Sequence, residues 1–359
     1  MYRLLILNPG STSTKIAVYD DEKPVFTENV SHSLAELGRY RNVMDQLPMR
    51  EKVVATTLAE HGIPYASLSA VISRGGLLPP VKSGAYKVNE DMVWQLTHAP
   101  VNEHASNMGA VIADRIARQY GIPAYIYDAV TVDEMTDLAK VTGFPGTRRR
   151  GMGHNLNMRA AAIRYAKEQG KAYRDCTLIV AHMGGGITLS LHHNGTIEDF
   201  VSDENGPYSP ERAGDIPSYQ LVDICYSGKY THDELLKLLH GKGGLLLDIG
   251  LTDGREIEKK IAAGDAKAKL FYDGMALNIA RYVGLLSIYV SGKVDGIILT
   301  GGIAYSHYIV DFITQHVRFI APVVVYPGEK EMESLAYGGL RVLRGEEKAY
   351  EFVKSVNSH

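Results

Sequence analysis

Two related α/β domains are what this sequence predicts, and three observations carry the prediction. Residues 3–20 (RLLILNPGSTSTKIAVYD) read as an apolar strand, a Gly/Ser/Thr turn and a second strand. Residues 177–192 (TLIVAHMGGGITLSLH) repeat that order half a chain later, with Asn8 and His182 in the same place near the end of the first strand. Each copy then leads into alternating strand and helix patterns, which argues for two α/β halves and against one all-parallel sheet. A chain of 359 residues is also too long for a single core.

Taken in order, the opening apolar run is stopped by Asn8, Pro9 and Gly10, and residues 23–30 supply a third strand after the first hairpin. Residues 31–68 alternate polar and apolar at helical spacing, and 68–73 (LSAVIS) are a buried strand. Residues 89–97 and 104–120 read as helices, the second with Ala110, Ile112, Ala113, Ile116 and Ala117 as its apolar stripe. Residues 123–128 (PAYIYD) form a strand ending in a carboxylate, and 144–153 (FPGTRRRGMG) form a Gly-rich loop before a helix over 154–169. In the second half, residues 193–196 make a tight hairpin turn and 197–201 the third strand of the repeat. Helical patterns follow over 215–226, 233–239 and, as one long stretch, 256–290. Strands over 296–300 and 323–326 and a last helix over 330–344 complete the chain.

Hydrophobic residues at 45% and charged residues at 22% are ordinary for a globular protein. A net charge of −3 offers no electrostatic footprint for nucleic acid or an anionic membrane. Cys176 and Cys225 are far apart and belong to no CxxC pattern, so they read as reduced thiols. The apolar stretches are too short for a signal-peptide core or a membrane span, and the expected location is the cytoplasm.

The chemistry is concentrated at the ends of the strands. Asn8 to Lys15 (NPGSTSTK) offers backbone amides, the hydroxyls of Ser11 and Ser13, and a cation within one turn, suited to phosphate oxygens. It lacks the Gly-Lys-Ser/Thr ending of a P-loop, and taken alone it reads as a polar hairpin turn. The echo at Gly184, Gly185 and Gly186 shifts the balance towards anion binding, because three glycines inside a strong strand pattern cost stability. Asp128, at the end of its strand, reads either as a magnesium holder through water or as a cap. Arg74, before Gly75 and Gly76, suits bidentate capture of a carboxylate or phosphoryl group. Arg212 is a second candidate, with a salt bridge to Glu211 or Asp215 as its plain alternative. His154, at a helix start, reads as a structural hydrogen-bonder or a catalytic donor. Arg148 to Arg150 read as a solvated basic loop.

Together these motifs resemble the butyrate kinases within the acetate kinase family, of the acetate/sugar kinase and actin superfamily. The likeness rests on NPGSTSTK at 8–15, HMGGG at 182–186, TGGI at 300–303 and YPGEKEMESLA at 326–336, in that order over nearly the whole chain. It implies two duplicated actin-like (ribonuclease H-like) domains flanking an active-site cleft: residues 1–150 with a C-terminal return over 331–359, and a nucleotide-binding domain over 151–330. It implies reversible transfer of the γ-phosphoryl of ATP to a short-chain fatty acid, with Mg2+, in a homo-oligomer of two or more subunits. On that likeness Asn8, Ser11, Ser13 and Lys15 surround the transferred phosphoryl, and Arg74 and Arg212 neutralise the nucleophile and the equatorial oxygens. His154 donates to the phosphoryl in flight, and Asp128 and Glu331 position magnesium. His182 and Gly184 to Gly186 hold the β-phosphate, and Gly301, Gly302 and Ile303 border the adenosine.

Two departures bear on substrate. Gly76 and Gly153 stand where acetate kinases carry a bulky apolar residue and a Phe, and the missing side chains are expected to leave room for further methylenes, each worth about 0.8 kcal/mol when buried. That favours butyrate, isobutyrate or a longer branched acid over acetate. Gly153 also departs from the butyrate kinases. A sugar kinase, an acetate or propionate kinase, and an actin-type assembly protein are the competing readings. A Rossmann dehydrogenase is weaker, because no GxGxxG follows the first strand.

Overall fold

A computed structural model describes residues 1–354. Among them the strands run, in chain order, β1 (Arg3–Pro9), β2 (Ser13–Asp20), β3 (Lys23–Ser31), β4 (Ala70–Arg74), β5 (Ala85–Lys87) and β6 (Ala124–Tyr127). The series continues with β7 (Leu178–Met183), β8 (Ile187–His193), β9 (Thr196–Val201), β10 (Gly296–Gly301), β11 (Val323–Pro327) and β12 (Tyr350–Glu351). The chain divides into two compact units, one of Met1–Asp133 with the described residues from Lys330 onward, the other of Glu134–Glu329.

The sheet of the first unit has the order β12-β5-β6-β4-β1-β2-β3, and that of the second β11-β10-β7-β8-β9. In the first, β1, β2 and β3 form an antiparallel meander while β4 runs parallel to β1 and β6 parallel to β4. In the second, β7, β8 and β9 form the meander while β10 runs parallel to β7 and β11 parallel to β10. Setting β5 and β12 aside, the two sheets share one topology. The register repeats as well: Asn8 pairs with Lys15 and His182 with Thr188, and in each copy the ladder slips after the third residue beyond that partner, at Val18/Tyr19 and at Leu191/His192. The turn is one residue longer in the first copy.

β1 and β7 read as unbroken apolar runs because each lies inside its sheet with helices over both faces. In the first unit, Gly109 of the helix Asn107–Tyr120 lies over Ser73, and Gly339 of the helix Glu331–Leu343 lies over Ile72. Ser73 and Ile72 are successive residues of β4, so the two helices take opposite faces. In the second unit, the helix Ala266–Tyr289 packs Met275, Ile279 and Val283 against the face carrying Ile179, Ala181 and Leu189. The helix Asn155–Glu168 takes the other face, where Asn157 meets His182 and Met158 meets Ser190.

Several elements differ from expectation: within 31–68 the main helix is Leu47–Glu60, behind the short Leu34–Leu37 and Val43–Gln46, and the short helices Asp137–Lys140 and Leu245–Ile249 went unread. The stretch 256–290 is two helices, Gly254–Ala262 and Ala266–Tyr289, because Gly264 turns the backbone to a φ of 89° and Asp265 caps the second helix through the Ala268 amide. Strands β5 and β12 are too short to show a period, and they pair with each other at the sheet edge. The helix His307–Val317, capped by Ser306, also escapes the sequence reading.

Candidate active site

The ends of β1 and β4 and the start of the helix Glu331–Leu343 bring one constellation together within the first unit. Asn8 Nδ2 donates to Glu331 Oε2 at 2.8 Å, Lys15 Nζ lies 3.3 Å from the same oxygen, and Arg74 Nη1 donates to Glu331 Oε1 at 2.8 Å. Three donors, two of them cationic, therefore converge on one carboxylate, the arrangement that binds an anion. Ser11 and Ser13 lie on the turn, which Gly10 closes by donating its amide to Ser13 O at 2.8 Å. Ser11 is exposed, Ser13 partly exposed, and Asn8 buried.

Asp128 is buried in left-handed backbone, with φ at 41°, and its Oδ1 accepts the Gly84 amide at 2.6 Å. A non-glycine residue in that region stores strain of the kind found at functional sites. Among the described residues no group of three or more His, Cys, Asp or Glu side chains stands ready for a metal. Of the two carboxylates expected to position magnesium, Asp128 holds the Gly84 amide and Glu331 is met by Asn8, Lys15 and Arg74.

The second unit holds the other candidates. His182, at the end of β7, is buried, and its Nδ1 accepts from Asn157 Nδ2 at 2.8 Å, which assigns the ring proton to Nε2. That Nε2 lies 3.2 Å from Glu329 Oε1 but off the line of a hydrogen bond, so a buried polar atom is left without one. A Cβ on Gly184 would stand 3.4 Å from it, which places the orphaned donor beside the glycine turn. Such an atom fits a bound anionic oxygen. The Gly185 carbonyl accepts from Ser209 Oγ at 2.6 Å and from the Glu211 amide at 3.2 Å, and the Gly184 amide donates to Gly186 O at 3.1 Å.

His154 stacks on His182 with ring centroids 4.0 Å apart, and its Nδ1 lies 3.0 Å from Thr188 Oγ1. Arg212 pairs with Asp203 at 3.3 Å and with Glu211 at 3.7 Å, while Asp215 is engaged by Tyr282 instead. Gly301 takes a φ of 89° with its Cα close to Met183 O, where a Cβ would sit 2.4 Å from that oxygen, so only glycine fits. Beside Gly302 a Cβ would meet open space, and Ile303 is partly buried. Of the basic loop, Arg148 pairs with exposed Asp137, whereas Arg149 pairs with buried Asp199 at 3.0 Å and donates to Phe200 O at 2.6 Å.

The two glycines expected to enlarge an acyl pocket have another cause. A Cβ on Gly76 would lie 2.7 Å from Asn107 Cα and from a Leu96 methyl, and one on Gly153 would lie 2.8 Å from Phe200 and Thr188. Neighbouring groups fill both spaces, so close packing requires glycine there and no spare volume follows from it.

Sequence reasoning overlooked three groups in the first unit. Arg50 is fully buried beneath the Ser11 to Thr14 turn and donates to it. His104 accepts the Ser106 amide on Nδ1, and burial, then the charges of Arg74 and Arg50, holds it below the usual imidazole range. Asn107 Oδ1 accepts the Leu77 amide at 2.7 Å and so shapes the chain after Arg74. None carries a motif; each fell only within a helical pattern, over 31–68 for Arg50 and over 104–120 for His104 and Asn107.

The model of the Acetokinase family matches residues 139–325. Over 354 residues, 98% of this chain and 100% of the relative, the sequence is 46% identical to Butyrate kinase 1 of Clostridium acetobutylicum. It is 46% identical over 97% of this chain to a protein of Caldanaerobacter subterraneus named Probable butyrate kinase 2, covering 98% of that relative. Among solved structures, acetate kinase of Porphyromonas gingivalis superposes with a TM-score of 0.79 at 20% identity, over 96% of this chain and 100% of that one. A propionate kinase of Francisella tularensis gives 0.72 at 18%, over 94% and 99%.

Proposed function

The chain belongs to the acetokinase family, and from that premise we propose that it phosphorylates butyrate or a near homologue, straight or branched, with ATP, forming the acyl phosphate and ADP. The observation that carries the reading is the convergence of Asn8, Lys15 and Arg74 on a single carboxylate. The same donors suit a carboxylate substrate and the phosphoryl group it attacks.

A carboxylic acid is already ionised at neutral pH, so no general base is needed. The obstacle is bringing one anion to another, and positioned cations remove it. In this reading Arg74 and Arg212 offset the charge of the acid and of the phosphoryl oxygens, while Asn8, Ser11, Ser13 and Lys15 orient the group in transfer. His154 donates to that group, His182 Nε2 and the Gly184 to Gly186 turn hold the β-phosphate, and Gly301, Gly302 and Ile303 border the adenosine. Asp128 and Glu331 would hold magnesium, which supplies further charge neutralisation when bound with ATP. The carboxylate oxygen forms a bond to the γ-phosphorus as the bond to the β–γ bridging oxygen breaks, and ADP leaves with that electron pair.

The preference for a four-carbon acid rests on whole-length identity to proteins named butyrate kinases, not on cavity volume. Two unpaired cysteines support a cytoplasmic setting, and among the described residues no helix is long and apolar enough to cross a membrane. Exposed Tyr219, Val222 and Leu236, on helices that bury none of their residues, support assembly into a homo-oligomer. The test is an assay in which hydroxylamine traps acyl phosphate made from ATP and acids of two to six carbons. Butyrate or a branched four-carbon acid gives the highest kcat/KM. Phosphorylation of hexoses with no hydroxamate from any acid overturns the reading.

A further inference from the structure

The buried arginine behind the Ser11 to Thr14 turn belongs to no motif, and its surroundings are unusual. Arg50 comes from the first turn of the helix Leu47–Glu60 and is fully enclosed. Its Nη1 donates to Ser13 O at 2.8 Å and to Thr14 Oγ1 at 3.0 Å, and its Nη2 donates to Ser11 O at 3.3 Å. Gln46 Oε1 accepts from both Nε and Nη2, at 3.2 and 3.0 Å, and so fixes the plane of the guanidinium from one helical turn away. The remaining carbonyl of the turn, Thr12 O, accepts the amide of His32, and Thr14 Oγ1 lies 2.8 Å from His32 Nε2. Burial, then the charge of Arg50, holds His32 below the usual imidazole range against the pull of Glu36, whose Oε2 lies 3.7 Å from Nδ1.

Two consequences follow from this geometry. The peptide bonds are trans, and in a trans peptide the carbonyl and the following amide point opposite ways. With Ser11 O drawn to the guanidinium, the Thr12 amide is turned away from it, towards the outer side of the turn. The second consequence is electrostatic. No carboxylate among the described residues forms an ion pair with Arg50, and its contacts are neutral oxygens. A buried cation held by neutral oxygens is costly; the charge of Glu36 favours it from beyond ion-pair distance, and an anion arriving at the turn balances its field further.

We propose that Arg50 is a positioning residue for phosphoryl transfer: locked by Gln46, it fixes the peptide planes of the Ser11 to Thr14 turn and lends that turn the positive charge that draws the phosphoryl end of ATP. The proposal rests on the kinase reading above. It assigns Arg50 to the nucleotide and not to the acid, which distinguishes it from a residue that merely keeps the unit folded.

The experiment compares Arg50→Lys and Gln46→Leu with the wild type by steady-state kinetics and by calorimetric titration with Mg-ATP. Lysine keeps the charge but cannot span both carbonyls, so kcat/KM for ATP falls about tenfold while KM for butyrate moves less than about twofold. Gln46→Leu, at a partly exposed site, retains the arginine but frees its plane, and gives a loss about threefold in the same direction. Mg-ATP affinity falls in the same order. Values for both variants within about twofold of wild type, or equal losses towards ATP and butyrate, overturn the proposal. Where Arg50→Lys does not fold, the Gln46→Leu ratio decides. If the wild type binds Mg-ATP and makes no acyl phosphate, the kinase reading fails, and the turn's role is judged on the affinities alone.

Discussion

Arg74 and Arg212 are the side chains on which the proposed chemistry depends most, and both are half-enclosed with carboxylate partners that an incoming anion can replace. Removing a donor aimed at developing charge costs roughly 10²–10³ in kcat. Arg74→Ala and Arg212→Ala should each lose at least that much turnover, with circular dichroism and Tm close to wild type; near-normal rates in either variant would remove that arginine from the mechanism. A different residue governs acid stability. His192 is enclosed between Ser190 Oγ and Tyr173 OH, and burial, with a smaller push from Arg159, drives its pKa down to about 3. The unfolded chain binds that proton near pH 6.5, so the stabilisation is complete above about 6.5 and is lost as pH falls towards 3, at up to about 1.4 kcal/mol per pH unit. Urea titrations from pH 8 to 4 should show this slope, flattened in His192→Gln; an unchanged slope would clear His192. At this scale the sequence exposed Asn8, Lys15, Arg74 and His182, because each stands where a strand breaks. Arg50 and His104 lay hidden because the turn that Arg50 holds and the arginines that face His104 are distant in sequence, and burial leaves no local pattern.

Helices and strands explain why certain glycines cannot change and others can. In the helix Glu331–Leu343, a Cβ on Gly338 would lie 2.6 Å from the Tyr127 ring and one on Gly339 would lie 2.5 Å from Ile72. Gly284, in the helix Ala266–Tyr289, faces open space at an ordinary φ. Gly339→Ala should therefore destabilise by about 1–3 kcal/mol through overpacking, whereas Gly284→Ala should stabilise by about 0.5–1 kcal/mol through helix propensity. Chemical denaturation of the two variants checks both signs, and matching signs would contradict the packing. The paired hairpins were legible because a strand, a glycine-bearing turn and a strand recur with their apolar runs intact. The repeated ladder slip was not, since a bulge changes pairing and leaves composition alone. β5 and β12 were lost for a simpler reason: a strand of two or three residues has no period to read.

Duplication at the level of the whole molecule is visible in two sheets of one topology, built from sequences that share only a pattern. The first unit is discontinuous along the chain. Its helix Glu331–Leu343 covers one face of the sheet with Leu335, Ala336 and Leu340, all fully enclosed. A fragment ending at residue 329 leaves that face bare, and should lose the cooperative unfolding of the first unit. Residues 134–329, which carry their own sheet and core, should retain a cooperative transition on their own. Calorimetry of the two fragments tests this, and an intact first-unit transition in the shorter chain would contradict it.

The central claim is that a carboxylate oxygen of the acid becomes bonded to the phosphorus transferred from ATP. Butyrate labelled with ¹⁸O in both carboxyl positions, incubated with ATP, the enzyme and hydroxylamine, reports on that step, because hydroxylamine cleaves acyl phosphate at the carbonyl carbon and leaves the bridging oxygen on phosphate. The account predicts that the phosphate released carries one ¹⁸O for each hydroxamate formed. Phosphate released without the label would contradict it.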